Sequence, residues 1–386
     1  MRSKPFKWLG LLLGVVLLAA IGAALWKKPE IERLLAVNSL FEPDRIVQNF
    51  SAMNRAFLYQ PMTVAPATPL PEGPPVALPD SLQGWMQNRQ VTSMVILHKG
   101  ARVYETYRLG TGRDDLRIGW SISKSYLSAL TGIILAEGKI GSLEDRVIDY
   151  APALRDGAYH RATIRHVLNM ATGVTFDEDY ADQKSDINRM GRVLALGQEM
   201  DVFAAGLQDT FTEPGVDWQY VSIDTHVLAM VIRGATGRSI TDLIREKIIV
   251  PLGSEQPPYY LTDGVGVAFA LGGINATTRD YARFGQMFLQ GGTWKGQQIV
   301  PRDWVTLSTT ATAPTTEAEM GYGFQWWIPH APRPREYMAR GIYGQYLYIN
   351  DIADVVIAVT AVDPDFRADA VKSSNVAMFR LIADTL

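Results

Sequence analysis

Cysteine is absent from this 386-residue chain, which excludes disulfides, thiolate nucleophiles and thiolate-held metals together. Histidine is scarce. His98, His160, His166, His226 and His330 are scattered, and no two have the spacing that lets one helix face grip zinc, so no metal is expected. The same scarcity argues against a histidine-based triad. Charge of one sign is missing as well: a formal net charge of −3 leaves no footprint for nucleic acid and no bias toward acidic partners. No internal repeat emerges, and nothing calls for a cofactor. What is present is a long chain, 47% hydrophobic, large enough for a substantial core or for two interleaved subdomains.

The N-terminus carries Arg2, Lys4 and Lys7 before an uncharged run from Trp8 to Trp26, closed by Lys27 and Lys28. At about 1.5 Å per residue the run is roughly 28 Å long. That matches a hydrocarbon core and exceeds the apolar stretch of a cleaved signal. Residues 1–28 are therefore expected to be a membrane anchor, with a signal segment cleaved after Gly22-Ala23-Ala24 as the alternative. The slight excess of basic residues before the run places the body on the extracytoplasmic, periplasmic side. Residues 29–80 read as a juxtamembrane arm ending in the proline cluster from Gln60 to Pro79, where helix is disfavoured and the chain stays extended.

The body, 81–386, has β-rich runs at both ends. Val91–His98 and Arg102–Tyr107 flank a Lys99-Gly100 turn, and Gln345–Asn350 with Val355–Val359 form a second pair, followed by a helix through Val376–Ile382. Between them lie helical patterns at Ser121–Glu137, Thr163–Met170, Thr225–Gly234, Ile240–Ile248 and Thr278–Gln290. The expected architecture is α/β (α+β): a sheet built from both chain ends, with a helical subdomain inserted over roughly 125–290.

Chemistry concentrates in Gly119–Tyr126, GWSISKSY. A hydroxyl is a weak nucleophile until a base takes its proton, and without a suitable histidine the base must be a neutral lysine or a tyrosinate. Ser121 and Lys124 share a helix face. Burial among Ile122, Leu127 and Ile133 lowers the lysine pKa, and the free N–H groups of a helix start favour developing negative charge. The competing reading is an ordinary N-cap serine with a solvated first-turn lysine.

The surrounding segments separate the two readings. After the Ser121 helix come GSLEDRVIDYAPAL (141–154), TIRHVLNMATGV (163–174), EPGVDWQYVS (213–222), GGINATTRDYARFGQMFLQGG (272–292), YGFQWW (322–327) and ARGIYGQYLYI (339–349). In that order they resemble the superfamily of serine β-lactamases, penicillin-binding proteins and family VIII esterases from about Val91 to the C-terminus. The spelling is most similar to the branch that hydrolyses 6-aminohexanoate oligomers.

The resemblance implies a β-lactamase/DD-peptidase-like fold, an antiparallel sheet flanked by helices, and a cofactor-free acyl-enzyme mechanism on small linear amides or esters. Ser121 stands at the nucleophile position and Lys124 at the base. The second family motif, Y-x-N, reads Tyr220-Val221-Ser222, so Tyr220 completes a Ser–Lys–Tyr group while Ser222 replaces the asparagine that contacts substrate. The third, K-T-G, reads Ala339-Arg340-Gly341. Strand alternation turns Arg340 away from Ala339 and Gly341, so the missing lysine charge is not expected to be restored. Gly341 lets substrate approach, and the N–H groups of Ser121 and Ile342 form the implied oxyanion hole. Tyr180, in the acidic loop Asp177–Tyr180, falls at a loop position over the pocket, with a solvated loop as the alternative. Trp326, Trp327, Tyr343 and Tyr346 are expected to line an aromatic cleft or to pack in the core. Two rival functions stay open: a penicillin-binding DD-peptidase or β-lactamase, and a non-catalytic extracytoplasmic ligand-binding protein.

Overall fold

The computed structural model describes residues 4–64 and 67–386. Seven strands, Val91–His98 (β1), Ala101–Tyr107 (β2), Gly321–Tyr322 (β3), Trp327–Ile328 (β4), Glu336–Gly341 (β5), Gln345–Asn350 (β6) and Val355–Ala361 (β7), form one antiparallel sheet in the order β2-β1-β7-β6-β5-β4-β3. The β1–β2 turn falls at Lys99-Gly100, where φ is +50° and +76°, the left-handed pair that a tight hairpin needs. Chain ends thus meet in the middle of the sheet, as the flanking β-rich runs imply.

Alternation along the strands divides the core into two layers. Val95, Leu97, Leu347, Ile349, Val356 and Ala358 face a helix at Thr278–Leu289, whose Phe284, Met287 and Phe288 are fully buried. Met94, Ile96, Tyr348, Ile357 and Val359 face the C-terminal helix, which runs Asp369–Thr385 and brings Phe379 and Ile382 against them. Every position of the helix Ile122–Ala136 from Ile122 to Ile134 is buried, so it is enclosed on all sides. It packs against the helix Ser222–Thr236 and the end of β5.

In chain order the helices used below are α1 (Lys4–Asn38), α2 (Ile122–Ala136), α3 (Ser222–Thr236), α4 (Thr278–Leu289) and α5 (Asp369–Thr385). The expected membrane anchor over 8–26 falls within α1. That expectation is not supported: among the described residues no helix is long and apolar enough to cross a membrane. Most side chains of 4–25 lie outside the described residues. The second half of α1 is amphipathic instead, with Lys27–Glu30 and Lys28–Glu32 pairs on its surface and Leu34, Ala36 and Val37 packed against the core. After a short helix at Ile46–Asn49 and a 3-10 turn at Met53–Arg55, the described part of the proline-rich stretch is mostly extended. Leu58–Pro61 pairs with Tyr259–Thr262, and Pro71 and Gly73 exchange backbone hydrogen bonds with Arg102 of β2.

Candidate active site

The turn before α2 is clamped from two directions. Arg117–Ile118 pairs with Asn275 and Ala276, and the Tyr281 hydroxyl on α4 donates to the carbonyls of Arg117 and Ile274 (2.8 and 3.1 Å). The other two serines of the octapeptide anchor the helix. Ser123 accepts from the Ile274 N–H (3.0 Å) and Ser125 donates to the Gln325 carbonyl (2.8 Å).

Ser121 occupies the N-cap position, yet its side chain makes no capping bond. Its hydroxyl instead accepts from Lys124 Nζ at 2.9 Å. The lysine is 1% exposed and also donates to the Leu271 carbonyl (2.9 Å) and to Ser222 Oγ (3.3 Å). Burial brings its pKa down to about 7, against the opposing pull of the Glu178 and Asp224 charges. The solvated-charge reading of Lys124 is therefore overturned: the side chain is buried and its nitrogen is held by protein groups.

Tyr220 reaches the same spot from the extended segment before α3. Its ring stacks on Trp327 (5.2 Å between centroids, 25°), and Lys124 Nζ lies 5.2 Å from the ring centre. Burial and the Glu178 charge push the phenol well above its usual range, while a hydrogen bond with Ser121 pulls the other way. Ser121, Lys124 and Tyr220 thus converge at one point. The N–H of Ser121 stands at the opening of α2, where the first donors have no intrahelical acceptor, and that of Ile342 directly follows the end of β5, before Tyr343 in the left-handed region.

A cleft of about 180 Å³ opens over Ser121 and Tyr220, lined also by Glu178, Tyr180, Trp327, Gly341, Ile342 and Phe366. Its mouth carries Arg340, Arg367 and Lys372. A larger hollow of about 470 Å³ beside α1, bounded by Glu32, Arg33, Arg55 and Asp263 among others, lies at none of the Ser121, Lys124 or Tyr220 positions.

Several sequence expectations change here. Arg340 does contribute charge to the cleft. Alternation puts it on the α5 face, where it lies over Trp327 (4.6 Å) and Tyr346 (5.8 Å), but its long side chain carries the guanidinium to the cleft mouth. Ser222 does not line the cleft; it is 1% exposed and sits behind Lys124 as an acceptor. A Cβ on Gly341 would stand 2.4 Å from the Gly119 carbonyl, so this glycine first of all admits the neighbouring turn. Tyr180 is placed over the cleft and is not a solvated loop residue, its hydroxyl donating to Glu178 (3.3 Å). Of the aromatics, Trp327 lines the cleft. Trp326 is packed against Phe284 and Phe288, and Tyr346 is buried against Phe379.

Glu178 and Asp224 were not singled out by the sequence reading. Glu178 accepts from the Ser222 N–H, and burial raises its pKa despite the Lys124 charge. Asp224, on α3, accepts from Tyr159 (2.6 Å) and Thr172 (3.1 Å), and burial raises it to about 8. The acidic loop spelling was the available signal for Glu178. For Asp224, the only signal was its place two residues after the Tyr-Val-Ser motif.

A family model described as Beta-lactamase matches residues 80–375. The 6-aminohexanoate-dimer hydrolase of Paenarthrobacter ureafaciens is 29% identical over 306 residues, 75% of this chain and 77% of that protein. Penicillin-binding protein 4* of Bacillus subtilis is 30% identical over 142 residues, 36% of this chain and 30% of that one. A solved structure from Bacillus anthracis, assigned provisionally as a 6-aminohexanoate-dimer hydrolase, superposes with a TM-score of 0.78 at 24% identity, covering 89% of this chain and 95% of its own. With the antiparallel sheet, its flanking helices and the serine–lysine pair at the start of α2 already in place, the family match over most of the length leaves one assignment: this chain is a hydrolase-fold member of the Beta-lactamase family.

Proposed function

We propose that this protein is a serine hydrolase that cleaves small linear amides or esters through an acyl-enzyme on Ser121. One observation carries the reading: a buried lysine nitrogen 2.9 Å from a serine hydroxyl that caps nothing. Ser121 Oγ attacks the substrate carbonyl carbon and its proton passes to neutral Lys124. The oxyanion is held by the N–H groups of Ser121 and Ile342. As the intermediate collapses, the leaving amine or alcohol takes a proton relayed through Tyr220. Water then attacks the acyl carbon, and the acid departs with Ser121 restored. The relative from Paenarthrobacter ureafaciens, named for a linear amide dimer, supports the substrate class.

The test is turnover of p-nitrophenyl esters and of the linear 6-aminohexanoate dimer by the full chain, with labelling by a fluorophosphonate. Ser121→Ala is expected to abolish both turnover and labelling. Labelling retained in Ser121→Ala removes this serine from the mechanism.

A second reading, acylation by penicillins or by peptides ending in a carboxylate, is favoured by the cations at the cleft mouth and by the penicillin-binding relative. Stable, stoichiometric labelling of Ser121 by a fluorescent penicillin would select it over the first.

A further inference from the structure

The residues on either side of the two implied oxyanion donors share an unusual backbone state. Trp120, just before Ser121, has φ +46°, and Tyr343, just after Ile342, has φ +59°. Both are bulky non-glycine residues in the left-handed region, which they occupy only when surrounding structure over-determines them. Phe366, within the matched family segment of 80–375, packs on Tyr343 (5.0 Å, 32°), and the rings that join Tyr343 to Trp120 come from outside that segment. Phe41 lies parallel on the Tyr343 ring (5.2 Å, 10°) and stacks on Trp120 as well (6.0 Å, 30°). Phe50, which is fully buried, meets the same two rings edge-on at 5.6 Å each.

The segment bearing these rings is itself fastened to the nucleophile turn. The Phe50 carbonyl accepts from the Ile118 N–H (3.0 Å). Buried Arg117 donates to the Val47 carbonyl and to Ser51 Oγ (2.9 Å). Asn49 Nδ2 donates to the carbonyls of Ser39 and Leu40 (2.8 and 3.2 Å), which fixes the loop that presents Phe41.

We infer that residues 39–51 are a built-in brace for the oxyanion hole, with Phe41 a positioning residue that fixes the spacing of the Ser121 and Ile342 N–H groups by bridging Trp120 and Tyr343. The inference rests on the hydrolase reading above. Phe41 touches no reacting atom: it is absent from the residues lining the cleft, and it acts through its neighbours. Aromatic stacking holds the two turns at one separation, and a donor displaced by a fraction of an ångström loses much of its worth to a developing oxyanion.

The test measures ester turnover by the full chain, its inhibition by a phenylboronic acid, and its thermal midpoint. The boronate adduct on serine is tetrahedral and anionic, so its affinity reads the oxyanion hole directly. Phe41→Ala is expected to lower kcat about tenfold or more, with KM within about twofold and boronate affinity weakened in parallel with kcat. Phe41→Leu, which keeps bulk without a planar ring, should fall between, and Phe41→Tyr should restore both readouts. Tyr59→Ala removes an exposed aromatic of the same arm, packed on Tyr259 and away from the cluster, and should leave kcat unchanged. An unchanged kcat in Phe41→Ala overturns the brace, as does a loss that Tyr59→Ala reproduces or that follows the thermal midpoint without rescue by Phe41→Tyr. No turnover in the unaltered chain overturns the hydrolase reading and the brace with it; turnover intact in both the chain and Phe41→Ala overturns the brace alone.

Discussion

A lysine can take a proton from serine only after losing its own, and at position 124 burial supplies that loss. The groups that face the amine are Glu178 and Asp224, which favour its charged form, and the Tyr220 ring. With its pKa brought down to about 7, the fraction of neutral base grows as pH rises, so kcat/KM for an ester should climb to a plateau with a midpoint near that value. Glu178→Gln removes an opposing charge, and the midpoint should move to lower pH. A profile flat from pH 6 to 9, with chemistry shown to be rate-limiting, would count against Lys124 as the base. Stability carries the same signature. Between about 7 and the ordinary lysine value of 10.5, the unfolded chain holds a proton that the folded chain has shed. The Lys124 contribution to stability therefore increases with pH across that window and is flat below it. Lys124→Met should abolish turnover and remove that slope from the pH dependence of the melting temperature.

At the scale of elements, the site is a junction between the turn before α2 and the end of β5. Gly341 is where they meet. A methyl group there would stand 2.4 Å from the Gly119 carbonyl and 3.0 Å from the Trp120 Cβ, and the first of these is backbone that cannot rotate aside. Gly341→Ala should cost on the order of 1–3 kcal/mol of stability, read as a lower thermal midpoint. It should also lower kcat more than it raises KM, because Ile342 moves with its neighbour. This junction also marks where sequence reading succeeds and stops. The α2 helix, the β1–β2 hairpin and the convergence of Ser121 with Lys124 are local, set by spacings of a few residues, and were legible. The reach of Arg340 was not, because alternation fixes the face of a strand but not where a long side chain ends. Nor was the contact of Glu178 with the Ser222 N–H, or of Phe41 with Tyr343, since each joins residues far apart in the chain without a shared pattern.

At the scale of the whole molecule, the net charge of −3 and the charge at the cleft mouth have opposite signs. Arg340 comes from β5, Arg367 from the loop before α5 and Lys372 from α5 itself, and folding brings all three to one rim. Two are engaged already: Arg367 donates to the Glu178 carbonyl (3.2 Å) and lies over the Tyr180 ring (4.9 Å), and Lys372 pairs with Asp369 (2.8 Å). Among the described residues Arg340 forms no salt bridge: it lies over two aromatic rings, donates to the Met320 sulfur (3.4 Å) and feels the Asp369 charge at longer range, so its guanidinium is available to a bound anion. An ester or amide whose far end is a carboxylate should therefore be preferred over a neutral analogue of equal length. A partly exposed pair of this kind is worth about 1 kcal/mol, or roughly fivefold in KM. Arg340→Ala should erase that preference while leaving kcat for the neutral analogue within about twofold. Because screening shortens to about 10 Å at 0.1 M salt, the preference should also shrink as ionic strength rises. A preference that survives both Arg340→Ala and high salt would place anion recognition elsewhere in the cleft, at Arg367 or Lys372, and the same comparison repeated on each of those variants would locate it.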